Sequence, residues 1–426
     1  MSGHPLAGPP ADDAVPGRRP LDILIVTSEA PPIVSGISTC IDKLATGLIA
    51  RQHRVRVLSC AEIHRIVFGE WRLSSFVAYW PQIVRQLRHF DVVNVHGPVP
   101  TMSDVFLWLS SRLPSYARPA IVYTHHSPID IQGASRMSMR YNKLHQALAL
   151  RADRIVASTA HYARQHHSRY GPAVRAIPWG VDTEVSPPAG ARPSRGELNV
   201  LFVGQMRPYK GVETLLAAAA GQAWLKLTLV GDGAELARYR SLAERLPVAS
   251  ARFTGRLSDA ELQQQYGRAD VVVLPSVTRA EAFGLVLIEG MAAGCVPVAS
   301  DLPGVRDIAG PTGLVVPPGD AGALRAALWG LASDTAQLER LQAASRLAAQ
   351  ALTWDRCVAS YEGVLLEAVC SRYARLHGLT IVPELDEPGP QWAISVPDAD
   401  PLSGSWPGRQ PVSMPEVSAS TAELGR

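Results

Sequence analysis

Between Ser276 and Ser300 the chain reads SVTRAEAFGLVLIEGMAAGCVPVAS, with Glu281 and Glu289 eight positions apart and Phe283-Gly284-Leu285 between them. The apolar run DVVVLP ends just before this stretch and CVPVAS closes it, so a strand should end in a polar loop and reopen as a helix. Backbone N–H groups at a helix start face whatever fills the loop, which suits phosphate. One carboxylate then lies in the loop and the second two turns into the helix, where both reach sugar hydroxyls. A helix-surface position is the plain alternative for Glu289, but its neighbours are apolar on both sides. A buried carboxylate needs a partner, so a ligand role or a buried pair is favoured. Upstream, LFVGQMRPYKGVETLL ends a strand at Gly204, holds Arg207 and Lys210 in a polar loop, and opens a helix at Gly211. Cations beside a helix start suit a diphosphate, although two surface charges in a strand–helix loop read equally well. Gly231-Asp232-Gly233 reads better as a simple turn than as a nucleotide loop.

These loops need strands to hold them. LDILIVT (21–27), VRVLSC (55–60), DVVNVH (91–96), AIVYTH (120–125) and RIVASTA (154–160) are short apolar runs separated by helix-like segments. A second series follows: LNVLFVG (198–204), LKLTLVG (225–231), SARFTG (250–255), DVVVLP (270–275) and CVPVAS (295–300). Near-continuous apolar strands alternating with helices give a parallel sheet covered on both faces. The expected architecture is α/β: two doubly wound domains, residues 21–182 and 197–354, joined by a Pro/Gly/Ser-rich linker at 183–196. Such a pair forms a cleft between the strand C-terminal ends. Segment 320–377 reads as helical, and its last helix, about 355–377, is expected to pack back on the first domain. Residues 1–20 and 383–426 read as disordered, Pro-rich ends; the Asp398-Ala399-Asp400 pair in that tail is a chance match to a metal site.

With 426 residues, two cores are the natural expectation. The five cysteines lack C-x-x-C spacing, which points to buried thiols in a reduced, cytoplasmic setting and away from a metal site. No run of 18 uncharged apolar residues occurs, so no membrane span is expected. Arg18-Arg19 before LDILIV superficially resembles a twin-arginine signal, but Asp22 and the following TSEAPP fit a first buried strand better. The net charge of +3 hides an asymmetry: residues 21–180 hold 18 Lys and Arg against 9 Asp and Glu. A basic half fits an anionic partner such as phosphate, an acidic lipid surface or an acidic glycan; solvated surface arginines explain it equally well. No nucleic-acid partner is expected.

Taken together, the ordered motifs resemble the retaining glycosyltransferases of family 4, which have the GT-B architecture of two facing Rossmann-like domains. The resemblance covers residues 22–377 and is carried by Ser35-Gly36, VYTHH, IPWGVD, FVGQMRPYKG, LVGDG, the Glu281–Glu289 segment and GLVVPPGD. It implies that Lys210, with Arg207 nearby, neutralises a departing nucleoside diphosphate, and that the Phe283-Gly284-Leu285 backbone covers the phosphates and donor sugar. Glu281 is then expected on sugar hydroxyls, Glu289 on the ribose diol, and His126 on the donor sugar. His125 should point to the opposite face by strand alternation. Gly36 and Gly211 let the backbone approach the phosphates; Asp182 is as readily a turn-former as a site residue. Two departures stand out: Gln205 where many relatives have arginine, and Trp179 where they have asparagine.

The resemblance implies transfer from a UDP- or GDP-sugar to an acceptor hydroxyl with retention, without a metal or other cofactor. A front-face displacement is preferred, since no second carboxylate stands out as a nucleophile. Lys210→Ala is expected to abolish turnover with far less effect on folding. Glycan or lipid-linked acceptors are favoured, with peripheral contact to an anionic inner membrane face; a soluble small-molecule acceptor is the alternative. A nucleotide-sugar epimerase of the same architecture is a further one. The aromatic residues among the arginines of 65–90 fit either membrane contact or core packing, with Phe76, Trp80, Ile83 and Leu87 at helical spacing.

Overall fold

The computed structural model describes residues 19–378, apart from 34, 60–64, 69–70, 115–116, 131–134, 168–170, 183–196 and 249–250, and also residues 380–383 and 392–395. The expected linker and most of both termini therefore lie outside the described residues. The first half contains β1 (Asp22–Val26), α1 (Gly36–Ala50), β2 (Arg54–Leu58), β3 (Arg65–Phe68), β4 (Trp71–Ser74), α2 (Phe76–Leu87) and β5 (Val92–Gly97). It continues with α3 (Ser103–Ser110), β6 (Ala120–His125), α4 (Ser135–Ala149), β7 (Arg154–Ala157), α5 (Ala160–His166) and β8 (Ala173–Ala176). The strands other than β3 and β4 form one parallel sheet in the order β2-β1-β5-β6-β7-β8.

The second half begins with β9 (Leu198–Val203), α6 (Val212–Ala219), β10 (Leu225–Val230), α7 (Leu236–Arg245), β11 (Ala251–Gly255), α8 (Asp259–Arg268) and β12 (Val271–Leu274). Then come α9 (Leu285–Ala292), β13 (Val296–Ser300), α10 (Val305–Ala309), β14 (Leu314–Val316), α11 (Ala321–Ser333), α12 (Thr335–Ala349) and α13 (Trp354–His377). Its sheet runs β11-β10-β9-β12-β13-β14, all parallel. That is the Rossmann order, whereas the first sheet has one fewer strand on its β2 side, where the antiparallel β3–β4 hairpin intervenes in the chain. In each sheet the order reverses beside its first strand, so the loops after β1 and β9 sit at the switch points, where open α/β sheets bind ligands.

Apolar strands buried on both faces explain the two sheets. Ile23, Ile25, Val92, Val122 and Val156 share one cluster with residues of α1 and α13; Leu198, Val200, Phe202, Val271 and Val298 centre another. The helix read from Phe76, Trp80, Ile83 and Leu87 forms, and core packing accounts for its aromatic side chains. Phe76 is fully buried, and both it and Trp80 meet the Phe106 ring, at 6.2 and 5.8 Å. The contacts favour core packing for Phe76 and Trp80; the side chains of Phe68 and Trp71 in the same stretch lie outside those described.

The chain crosses between the sheets at two adjacent points. Val181 N donates to Leu352 O at 2.8 Å and pairs with Thr353. A Cβ on Gly180 would lie 2.3 Å from Trp354 N, so the strands of the crossing touch backbone to backbone. Beyond it, α13 lies along α1 and beneath β5 and β6. It is tied there by Arg175 to Glu367 (2.9 Å), Arg51 to Glu362 (3.0 Å), and Arg375 to the buried Asp153. Two terminal expectations differ from the structure. Arg19 is held by Asp91 at 3.0 Å, and β16 (Trp392–Ser395) pairs with β15 (Thr380–Pro383) inside the stretch read as disordered. A short alternating run such as WAIS supports pairing despite the prolines around it.

Candidate active site

The loops after β1, β5, β6 and β9 enclose a cleft of 490 Å³, completed by Thr278 and Ala280 from the loop after β12. Thr27 and Glu29 from the first loop, His96 and His126 from β5 and the end of β6, and Arg207 and Tyr209 from the loop after β9 all line it. Of the residues singled out in the sequence, His126 and Arg207 line this cleft. Lys210, Glu281 and Gly36 are chain neighbours of the lining residues Tyr209, Ala280 and Ile37, while Gly211, Phe283, Gly284, Leu285 and Glu289 are not among the lining residues.

Lys210 ends a short 3-10 turn and Gly211 starts α6 with φ +71°. A Cβ on Gly211 would lie 1.8 Å from the Pro275 carbonyl oxygen, so only glycine allows the loop to rest on the end of β12. That contact puts Lys210 opposite the next loop. Its Nζ lies 2.5 Å from Glu281 Oε2, which also accepts from Ser276 Oγ at 3.2 Å. Both members of the pair are nearly buried, with side chains 13% and 11% exposed. Burial works against the Lys210 charge, but the Glu281 carboxylate outweighs it and holds the ammonium above its usual range. The two groups assigned separately to phosphate and sugar therefore meet as an ion pair. Lys210→Ala is therefore expected to cost stability as well as turnover, because that change strands a buried carboxylate.

The segment between the glutamates turns through Gly284 at φ +83°, where a Cβ would press on Leu274 Cδ2 at 2.8 Å. α9 starts at the next residue, so Glu289 sits one turn into the helix rather than two. The Phe283 side chain is buried in the cluster that contains Cys40 and Trp179 of the first half, and the Gly36 Cβ position is 3.6 Å from Leu285 Cδ1. The N-termini of α1 and α9, one from each half, thus converge. Burial pushes the Glu289 carboxyl up, opposed by the hydrogen bond it accepts from Tyr266; the phenol donates to Oε2 at 2.7 Å. Tyr266 is the buried partner that the sequence required and could not name. Tyr266→Phe is expected to cost about 1–3 kcal/mol, measured as a lower denaturation midpoint; an unchanged midpoint would show that the phenol does not hold the carboxylate.

His126 Nε2 lies 3.0 Å from His96 Nδ1, and His96 Nε2 lies 2.7 Å from Asn94 Oδ1. Burial draws His126 down to about 4, and burial together with the His126 charge holds His96 well below its usual range. Both rings are therefore neutral at pH 7. Trp179, left without a role in the sequence, stacks on His126 at 5.7 Å and 13° and on Tyr361 at 5.4 Å and 18°. It forms a flat support for the His126 ring, which lines the cleft. His125 turns to the other side of β6, where its ring meets His166 at 4.4 Å. Asp182 is engaged by Lys43 at 2.8 Å on the surface. Among the described residues, no group of three or more His, Cys, Asp or Glu is placed to hold a metal, and no helix is long and apolar enough to cross a membrane. The described cysteines, Cys40, Cys295, Cys357 and Cys370, are buried free thiols.

Two facing parallel sheets with their switch-point loops on a shared cleft define the GT-B architecture. Residues 34–185 match the model of Glycosyltransferase Family 4, and residues 190–348 match that of Glycosyl transferases group 1. The chain is 32% identical over 353 residues to a phosphatidyl-myo-inositol mannosyltransferase of Mycobacterium leprae, covering 76% of this chain and 90% of that protein. It is also 32% identical over 263 residues to the D-rhamnosyltransferase WbpZ of Pseudomonas aeruginosa, covering 59% of this chain and 66% of the relative, just under two thirds of its length. A sucrose-phosphate synthase from Thermosynechococcus elongatus has a similar structure, with TM-score 0.66 and 24% identity across 84% of this chain and 99% of that one. The chain belongs to glycosyltransferase family 4.

Proposed function

We propose that this protein transfers a sugar from a nucleoside-diphosphate donor, UDP- or GDP-linked, to an acceptor hydroxyl with retention at the anomeric carbon and without a metal. The convergence of the α1 and α9 N-termini beside Lys210 carries this reading. Two helix starts from opposite halves supply N–H groups and dipoles for a diphosphate, and Lys210 and Arg207 supply fixed positive charge where the phosphate departs. Glu281, shared with Lys210, faces the sugar; Glu289, oriented by Tyr266, takes the ribose diol. In a front-face displacement the departing phosphate oxygen takes the proton of the incoming hydroxyl, so no enzyme carboxylate becomes glycosylated. Trapping a glycosyl adduct on a carboxylate would overturn that step.

The test of the donor is a thermal-shift panel of UDP-, GDP- and ADP-sugars, because a ligand bound only by the folded state raises the midpoint. One nucleotide class should stabilise the protein strongly; the absence of any shift, together with no transfer product, would sink the proposal. Donor-sugar interconversion without acceptor would instead favour an epimerase.

For the acceptor, a glycan or lipid-linked glycan is the preferred reading, and a soluble small molecule is the alternative. The surface of α4 favours a membrane-borne acceptor. Met137, Met139 and Leu144 are exposed there, as are Arg136, Arg140 and Lys143, and the helix sequence contains no acidic residue. The exposed Trp108 of neighbouring α3 carries Arg112 at 3.8 Å from its ring centre. Asn142 of α4 pins both backbone groups of Ile129, a cleft residue, so this surface is coupled to the cleft mouth. Apolar side chains among cations suit an anionic leaflet. Cosedimentation with phosphatidylserine-containing vesicles at low salt should retain the protein, and no retention would remove the membrane contact.

A further inference from the structure

The side chains beneath His126 determine which of its nitrogens carries the proton. Asn94 Nδ2 lies 3.2 Å from the Val122 carbonyl oxygen and 2.9 Å from Thr124 Oγ1. A backbone carbonyl only accepts, so the atom facing it is the amide nitrogen and the carboxamide oxygen must turn towards His96. That oxygen is 2.7 Å from His96 Nε2, which therefore carries a proton. His96 is buried and neutral, so its Nδ1 is a bare lone pair. His126 Nε2 faces that lone pair at 3.0 Å. Two lone pairs repel at this separation, so Nε2 of His126 is the donor. A neutral His126 then has one unprotonated nitrogen, Nδ1, on a ring that lines the cleft and is clamped flat by Trp179.

We propose that Asn94 and His96 are positioning residues that lock His126 in its Nε2–H tautomer, so that it offers the ligand a hydrogen-bond acceptor and selects a hydroxyl at that point. A phosphate or carbonyl oxygen in the same place would meet lone pair against lone pair. The orienting series starts at a fixed backbone carbonyl, passes through an amide and a neutral imidazole, and ends at the ring facing the ligand. It resembles the way an orienting acceptor fixes the tautomer of a working histidine elsewhere. The identification of that hydroxyl as belonging to a sugar rests on the proposed function; the tautomer does not.

The decisive measurement is a long-range ¹⁵N–¹H correlation spectrum of the full-length, histidine-labelled protein at neutral pH, with His126 assigned by its disappearance in His126→Gln. The expected signature is a protonated Nε2 and a bare Nδ1, and an Nδ1–H tautomer would overturn the proposal whatever the activity. Should no donor support transfer, this spectrum still decides the tautomer and separates its failure from that of the functional reading. His96→Phe keeps a ring beside Trp179 but removes the acceptor. It should release His126 into tautomer exchange and lower kcat by a few-fold, in proportion to the share of the competent tautomer lost, with nucleoside-diphosphate affinity unchanged. His96→Gln, whose side-chain oxygen can accept, should restore most of kcat. A His96→Phe protein with unaltered tautomer and kcat overturns the proposal, and if that variant does not fold, the wild-type spectrum alone decides.

Discussion

Lys210→Ala should lower both transfer and stability, and the two losses should separate in a double mutant. The single change removes the partner of a Glu281 carboxylate whose side chain is only 11% exposed. An uncompensated buried charge typically costs about 3–5 kcal/mol, read as a large drop in denaturation midpoint. Removing fixed positive charge from a departing phosphate should also cost about 10²–10³ in kcat. Adding Glu281→Ala takes away the stranded carboxylate, so the double mutant should regain much of the lost stability. It should regain no transfer, because the cation at the phosphate is still missing. A single mutant as stable as the wild type would mean that the pair does not form in solution. Normal turnover would remove Lys210 from the phosphate site.

The same pair shows why part of the site was readable in the chain and part was not. Parallel strands buried on both faces appear as near-continuous apolar runs, which is why the central strands stood out, most within a residue or two of their observed ends and β7 with its end read three residues late, at Ala160 rather than Ala157. Two of the edge strands, β8 and β14, lack that signature. β8 is mostly exposed and β14 has three residues, and neither was anticipated. Lys210, Glu281 and His126 were visible because each follows a recognisable strand end. Their partners were not, since the Lys210–Glu281 and Glu289–Tyr266 contacts join separate loops and helices that only the tertiary fold brings together. Asn94 and His96 were hidden differently, inside a run taken as plain strand. A signal did exist there: two polar residues two apart in a strand share one face, and two polar groups on a buried face imply partners. Trp179 looked like a mere departure from related sequences, yet its ring is the support that holds His126.

Acidification from pH 7 to pH 5 should destabilise the protein steeply, and the buried histidines of the first half set the slope. Burial holds His126 and His166 down to about 4, and His145 to about 3. His96 and His125 are also held well below their usual range by burial, followed by neighbouring imidazoles. In the unfolded chain each titrates near its ordinary 6.5, so between those values the unfolded state binds more protons than the folded one. Stability is therefore complete above about pH 6.5 and falls continuously as pH drops towards 4. At pH 5 each such histidine costs roughly 2 kcal/mol, and three of them already approach the whole stability of an ordinary domain, about 5–15 kcal/mol. Carboxylates do not account for a loss in this window: Asp22, lowered chiefly by its hydrogen bonds with Arg54, gives up its share only at still lower pH. Midpoints measured between pH 7.5 and 5 should fall throughout, and a flat profile would show that the imidazoles are hydrated in solution. His145 offers the discriminating variant, since it is bonded to Ser103 Oγ at 2.8 Å and lies away from the cleft. His145→Gln keeps a polar partner for that hydroxyl but cannot titrate, so its profile should be shallower than the wild type by one histidine's share.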